Sequence, residues 1–419
     1  MDYKTYNFPN YNIHIIKTNR FKNIQMEIAL RNNIDKNTYL NYFFLVNMLM
    51  ESNSIYKTKR EIVLKEEELY EANCYIYYRP QGKSIIYKLN MDILNPKYTK
   101  DNYLEEAIKF PFDLLLHPDI NNNKFNEKSF KTVKTRFKDN IKTQKEVLSQ
   151  YACKEALKAM DKKSLSALNR YGTITELNKI TDETLLNAYN NLLTNSLIDI
   201  SIIGDINEDE IIKYINKYAI FNNNPNTTIE YHITNKERTK VLEKTSTSKK
   251  NQSHIVYLLN TNNLTEYERE YVMPLYNIIL GGASLESKLY RTLRDKHSLC
   301  YGVYSAYFEF DNLLRITTSV DKKNIKKAKS LINKTIKDMY NISDTEIKRA
   351  ISLYESGINS YLDNPSYILD LYLNQFIFNT DSIEERINKI KKVTVEEIIN
   401  INKKIKLNTI YTLEGDNHE

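Results

Sequence analysis

The stretch Leu280-Gly281-Gly282-Ala283-Ser284-Leu285-Glu286-Ser287-Lys288-Leu289-Tyr290, continued by Leu293-Arg294-Asp295-Lys296-His297-Ser298-Leu299-Cys300-Tyr301, decides how this chain is read. An apolar run of helical length, Glu266 to Leu280, ends on two glycines. Glycine after a helix is the ordinary left-handed cap, because it has no Cβ to penalise a positive φ. Arg294 and Tyr301 follow, seven residues apart. Period-two alternation then takes over. Val303 to Phe310 and Leu313 to Val320 read as a hairpin turning at Asp311-Asn312.

Working outward, the same order of elements is written twice. A strand pattern (Ile24 to Leu30; His254 to Leu259) precedes an apolar helix (Thr38 to Met50; Glu266 to Leu280). Leu69-Tyr70 and Leu299 to Tyr301 each lead into tyrosine-rich alternation. In the first half Cys74 to Tyr78 and Ser84 to Asn90 form the hairpin, around Pro80-Gln81-Gly82. Each half closes alike. Lys179-Ile180-Thr181 and Lys392-Val393-Thr394 open a helix, and strands ending at Gly204-Asp205 and Gly415-Asp416 finish the repeat. Ser343 with Glu346, and Thr394 with Glu397, have capping-box spacing. Strand, helix, antiparallel strands, helices, strand is an α+β order, with helices on one face of a mostly antiparallel sheet. The polar segment Phe221-Asn222-Asn223-Asn224-Pro225-Asn226 separates the copies. The expected domains are 1–220 and 241–419.

Composition removes several function classes. The chain has 419 residues, enough for two or three domains, with only 8 Gly and 8 Pro. It has neither G-x-G-x-x-G nor a P-loop, which argues against dinucleotide and nucleotide sites. Its net charge of +7 is mild for this length, and the basic run Lys322 to Lys329 reads as a solvated helix face, so no nucleic-acid partner is expected. The longest apolar run, Tyr42 to Met50, is too short for a membrane span. Three cysteines (Cys74, Cys153, Cys300) lie far apart, form no disulfide framework and suit a reducing cytoplasm. The six histidines (His14, His117, His232, His254, His297, His418) are isolated, and none pairs with another at helical spacing.

The run from Leu280 to Tyr301 resembles the C-terminal domain of the pitrilysin/insulinase metallopeptidases, the inverted zincins. That family's stretch has a helix, glycines, a small-Ser-x-Leu segment and an Arg and Tyr seven residues apart. The resemblance covers nearly the whole chain. It implies two homologous α+β domains in a half-clamshell. The first half of such proteins carries the zinc motif H-x-x-E-H. Here the equivalent helix reads Phe43-Phe44-Leu45-Val46-Asn47-Met48-Leu49, so the ligand positions hold Phe43 and Asn47 and the general-base position holds Val46. The family's third ligand, a Glu, falls near Lys134 to Lys142, where only Asp139 is acidic. Catalytic zinc needs three ligands of His, Cys or carboxylate type plus an open position. Phe cannot ligate and Val cannot take a proton, so no metal or other cofactor is expected in this chain.

The resemblance further implies that Arg294 and Tyr301 serve the zinc site of a partner, as donors to the scissile carbonyl and tetrahedral intermediate. Gly281, Gly282, Ala283 and Ser284 occupy the place of a substrate-handling glycine loop found in non-catalytic subunits of the family. The implied function is a catalytically degenerate subunit, no enzyme by itself, which pairs with an active zinc-peptidase homologue and helps enclose a peptide. Similar small bacterial members lack the zinc motif and occur beside an active one. The alternatives are a non-catalytic homodimer that binds peptide or protein, and a purely structural chain.

Overall fold

The computed structural model describes residues 1–416 apart from Pro225 and Ala283. The first half contains, in chain order, β1 (Asp2–Asn7), β2 (Asn12–Lys17), β3 (Asn23–Asn33), α1 (Tyr39–Leu49), α2 (Lys59–Glu68), β4 (Asn73–Gln81), β5 (Ser84–Leu94), α3 (Leu104–Leu116), a ribbon of β6 (Ile120–Asn121) and β7 (Lys124–Phe125), α4 (Glu127–Thr143), α5 (Leu148–Asp161), α6 (Ile174–Asn178), α7 (Asp182–Asn195), β8 (Leu197–Gly204) and α8 (Glu208–Tyr218). The second half contains β9 (Leu242–Ser248), β10 (Gln252–Asn260), α9 (Met273–Leu280), α10 (Lys288–Tyr290), β11 (Val303–Phe308), β12 (Leu313–Asp321), α11 (Ile325–Lys337), α12 (Asp344–Tyr361), α13 (Pro365–Phe378), α14 (Ile383–Ile390), α15 (Val395–Lys404) and β13 (Lys406–Gly415). No helix among the described residues is long and apolar enough to cross a membrane.

The strands form two mostly antiparallel sheets, ordered β1-β2-β8-β3-β5-β4 and β11-β12-β10-β13-β9. Both expected hairpins, β4/β5 and β11/β12, are present in register. Both capping boxes close reciprocally, at Ser343/Glu346 and at Thr394/Glu397. In the basic run, Lys322 pairs with Glu414 and Lys329 with Glu243, both at 3.2 Å.

The chain folds into two compact units that interleave along the sequence. One comprises Met1–Lys142, Asn169–Tyr231 and Leu362–Thr380, and the other Thr143–Leu168, His232–Tyr361 and Asp381–Glu419. Helix α13, from the second half, therefore packs in the first unit, and α5, from the first half, packs in the second. The two helices hold the same place in the repeat, each following a long helix (α4, α12). As expected, one face of each sheet carries the helices of its own half. The exchanged helix covers the other face.

In the first unit the faces differ because the side-chain period of a strand is two. Ile24, Met26, Met91 and Ile93 meet Ala107 and Ile108 of α3. The opposite face carries the intervening residues, several of them polar yet buried: His14, Glu27, Arg31, Lys88 and Asp199. Helix α13 covers this face. Ile368 and Leu369 pack on Ile16 and Ile203, and Leu373 packs on Ala29 and Ile86. Asp370 of α13 meets the charges. Lys88 Nζ donates to Glu27 at 2.6 Å and to Asp370, and Arg79 donates to Asp370 at 3.2 Å. Two cations thus neutralise two carboxylates. Burial still holds the Glu27 carboxyl above its ordinary range, against the pull of Lys88.

Beside this cluster, Asp199 accepts from Arg31 Nε at 2.8 Å, from His14 Nε2 at 3.2 Å and from Asn12 at 3.0 Å. Phe376 of α13 sets its ring edgewise to His14, with centroids 4.6 Å apart. In the second unit the exchanged helix meets the sheet mainly through small and apolar side chains. Ala152, Ala156 and Met160 of α5, one turn apart, pack on Val256, Leu258, Tyr411 and Leu413.

Burial pushes the Asp199 carboxyl up, but Arg31 and the His14 hydrogen bond pull it down further, to about 2. A carboxyl lowered in the folded state stabilises above its unfolded value, near pH 4, and loses that contribution as pH falls toward 2. The loss is about 2–3 kcal/mol for a shift of this size. Asp199→Asn is expected to cost about 3–5 kcal/mol at pH 7, because Arg31 is left buried without its anion. It should also flatten the pH 2–4 segment of the stability curve. Urea unfolding from pH 2 to 7 measures both.

Candidate functional site

Helix α1 presents the positions where a zinc motif would lie. Phe43 is buried, its ring stacked on Tyr78 of β4 with centroids 4.2 Å apart and set edgewise to Tyr39 at 5.6 Å. Val46 is buried as well. Asn47 folds its amide back, donating from Nδ2 to the Phe43 carbonyl at 2.8 Å. The two positions keep the one-turn spacing that a pair of ligands needs, but an aromatic ring and a self-satisfied amide fill them. Burial raises the Tyr78 phenol to about 12, so it stays neutral.

The third position is equally unsuited to metal. Helix α4 turns Ser129, Val133 and Phe137 inward. Phe44 of α1 lies 5.2 Å from both Phe130 and Phe137, centroid to centroid. Asp139 is exposed, 3.7 Å from Lys142. Among the described residues no three His, Cys, Asp or Glu side chains come together as a metal site. These residues do not fit zinc. His14 is committed to Asp199, and His418 lies outside the described residues.

The second unit holds the other set. Helix α10 continues into a widened π-helical turn, Arg291–Asp295, anchored by the buried Leu289 and Leu293. Arg294 is exposed. Its guanidinium carbon sits 4.9 Å from the centroid of the Tyr290 ring, and NH1 donates to the Tyr290 hydroxyl. Tyr290 itself is buried, so it forms a shelf beneath the exposed cation. The helix closes with Leu299 N–H donating to Leu293 O and Ser298 N–H to Arg294 O, both at 2.9 Å, with Ser298 at φ +49°. That turn delivers Tyr301 to the head of β11, where it is 88% exposed. Neighbouring Cys300 is half-buried. Burial raises its thiol, although a Thr318 hydrogen bond and Arg294 oppose the rise, so it is not a thiolate nucleophile.

The glycine pair differs from expectation. Neither Gly281 nor Gly282 has a positive φ, so the left-handed cap is absent. Close packing requires them instead. A Cβ on Gly281 would lie 2.7 Å from Leu289 Cδ1 and 3.2 Å from the Ser305 backbone nitrogen, and one on Gly282 would lie 2.9 Å from Ile278 Cα. The Gly281 carbonyl accepts from Ser305 N–H at 2.6 Å, and Ser305 Oγ donates to Asn277 Oδ1 at 2.7 Å. The segment is thereby stitched to the edge strand β11. Ser284 N–H donates to Gly282 O at 2.6 Å, and Ala283 lies outside the described residues.

The β4 edge of the first unit is more open. Cys74 N–H donates to Glu66 at 2.9 Å, and Pro80 has no N–H. Alternation along an antiparallel strand then directs the Ile76 and Tyr78 N–H groups outward between these stops. Two contributors were not evident from sequence: Tyr78, which covers Phe43, and Tyr290, which supports Arg294. The i, i+4 spacing of Tyr290 and Arg294 was a signal, diluted by the chain's 33 tyrosines.

Comparison with known proteins agrees with this geometry. Residues 179–354 match the family model described as the Peptidase M16 inactive domain. The chain is 24% identical over 409 residues to the probable inactive metalloprotease YmfF of Bacillus subtilis (strain 168), covering 96% of this chain and 95% of that one. It superposes on a conserved protein from Enterococcus faecalis V583 with a TM-score of 0.90 at 23% identity, over 100% of both chains. A peptidase M16 inactive domain from Pseudomonas fluorescens gives 0.81 at 16% identity, over 100% of this chain and 99% of that one.

Reinstating ligand chemistry on α1 alone should not build a zinc site. The Phe43→His/Val46→Glu/Asn47→His variant, dialysed against zinc and assayed by mass spectrometry for metal, is expected to hold well under one equivalent. Tyr78 crowds the position and α4 offers no inward carboxylate. One tightly held equivalent would contradict that packing.

Proposed function

We propose, taking as premise that this is an inactive chain of the M16 (pitrilysin/insulinase) kind, that it is the non-catalytic partner of an active zinc-peptidase homologue. The partner supplies zinc and the general base. This chain supplies Arg294, Tyr301 and part of the wall around a peptide substrate. The observation that carries the reading is an asymmetry of side chains. The metal positions Phe43, Val46 and Asn47 are packed shut, while Arg294 stands exposed on a buried aromatic shelf and Tyr301 is 88% exposed. A chain with no site of its own has no evident need of an exposed guanidinium seated on a buried ring.

The chemistry suits the role. An Arg side chain is permanently charged and offers a fixed fork of donors, and a Tyr hydroxyl adds a neutral donor. Aimed at a developing oxyanion, such groups stabilise the transition state more than the ground state. An extended peptide is held by main-chain hydrogen bonds to a strand edge, and the outward N–H groups of Ile76 and Tyr78 are suited to that. The tied segment Gly281, Gly282 and Ser284 then shapes the wall and does not move with substrate. The three free cysteines accord with a cytoplasmic setting. A non-catalytic homodimer that holds peptide without cutting it is the second reading. It shares the closed α1 but gives Arg294 no task.

The test is peptidase activity of this chain, of a homologue with intact H-x-x-E-H from the same genome, and of their mixture. The chain alone should be inert and the mixture active. Arg294→Ala in this chain should slow the mixture roughly 100-fold and Tyr301→Phe roughly tenfold, mainly in kcat, as expected for loss of oxyanion donors. A homologue that cuts equally well alone would favour the second reading.

A further inference from the structure

The second unit has a groove that the reading above does not use. It holds about 560 Å³ between the end of α9, residues 284–287 and the outer face of α12, within the range of ligand-binding clefts. Ile278, Ile279, Ala350 and Leu353 give it apolar walls. Glu286 and Arg349 pair across its rim, and Glu346 is held by Lys288 at 2.9 Å. Both rim carboxylates are therefore already matched. Lys348, also on the rim, is exposed and has no ion-pair partner among the described residues; with Lys288 holding Glu346 from beside the groove, Lys348 is the lining cation left unmatched.

Inside the groove is an unmet polar group. Ser287 is 2% exposed, lines the groove, and its hydroxyl has no hydrogen-bond partner. It stands at the start of α10, where a serine hydroxyl normally accepts from a backbone N–H, and here it does not. A buried hydroxyl without a partner costs about 1–3 kcal/mol, which a bound polar group would recover.

We propose that this groove binds a short peptide segment in which apolar side chains precede a carboxylate. The apolar groups lie against Ile278, Ile279 and Leu353. A peptide amide meets the Ser287 hydroxyl, and the carboxylate meets Lys348. A fatty acid shares the apolar and anionic parts but has no polar group along its tail for Ser287, which favours the peptide. The helix that begins after Ser287 carries Arg294 about 10 Å further along, at 1.5 Å per residue. The groove thus names a substrate feature for the function proposed above and rests on that reading for its purpose. Its binding is measured on this chain alone, so either can fail without the other.

The test uses the full chain and isothermal titration with acetyl-Leu-Leu-Glu-amide, acetyl-Leu-Leu-Lys-amide and decanoate. The Glu peptide should bind, and more tightly than the Lys peptide. Lys348→Glu should weaken the Glu peptide at least fivefold, the scale of one exposed ion pair, and reverse the preference. Leu353→Ser should weaken both peptides. Ser287→Ala should weaken the Glu peptide without lowering the melting temperature, since the hydroxyl it removes is unpaired. Three results would each overturn the proposal: no binding of the Glu peptide at millimolar concentration, decanoate binding more tightly than either peptide, or affinity unchanged in both Lys348→Glu and Leu353→Ser.

Discussion

Each sheet has two faces to bury, and its own half of the chain supplies helices for only one. The second face is covered by a helix from the other half, α13 over the first sheet and α5 over the second. The same slot is filled by different physics. On the second sheet, alanines and a methionine meet branched and aromatic side chains, and burial of apolar area is the driving force. On the first, an aspartate enters a layer that already holds Glu27, Lys88 and Arg79. Buried ions in such a layer contribute little net stability against apolar replacements, but they are strongly destabilising when one partner is missing. The charged layer therefore fixes which helix belongs on that face. The first-half segment 1–220 by itself lacks Asp370 and exposes this layer.

The same economy of side chains explains the contrast between α1 and the turn that carries Arg294. Helix α1 is completed as core. Phe43 stacks on Tyr78, Val46 is buried, and Asn47 satisfies its own amide on the helix. At the other position a charged side chain is held outward on a support, and Tyr290 is that support. Tyr290 is buried beside Leu289 and Leu293, so the shelf is as rigid as the core it belongs to. A closed α1 and an exposed Arg294 on a buried ring are thus two local packing outcomes in one chain.

Much of this was legible because periodicity reports directly on burial. The hairpins at Gly82 and Asn312, the capping boxes at Ser343 and Thr394 and the doubled order of elements could all be read from residue spacing, whereas the degenerate motif on α1 came only from the family resemblance. The exchange of α5 and α13 could not. A 3.6-residue stripe such as Ala152, Ala156 and Met160 says that a face is buried, not which sheet it meets. The buried charges were invisible for a related reason. Glu27 and Lys88 alternate with apolar neighbours as they would on a solvated face, and only the arrival of α13 makes them interior. The glycine pair misled because its position at the end of a helix suggested backbone freedom, whereas contacts with Leu289, Ser305 and Ile278 impose the small residue.

The account turns on whether this chain completes another. Sedimentation of the chain with its H-x-x-E-H-bearing homologue, each alone and together at equal concentration, tests that most directly. The account predicts a single boundary at the mass of one copy of each, formed in preference to either homodimer. Two independent boundaries, or a dimer of this chain that excludes the homologue, would contradict it.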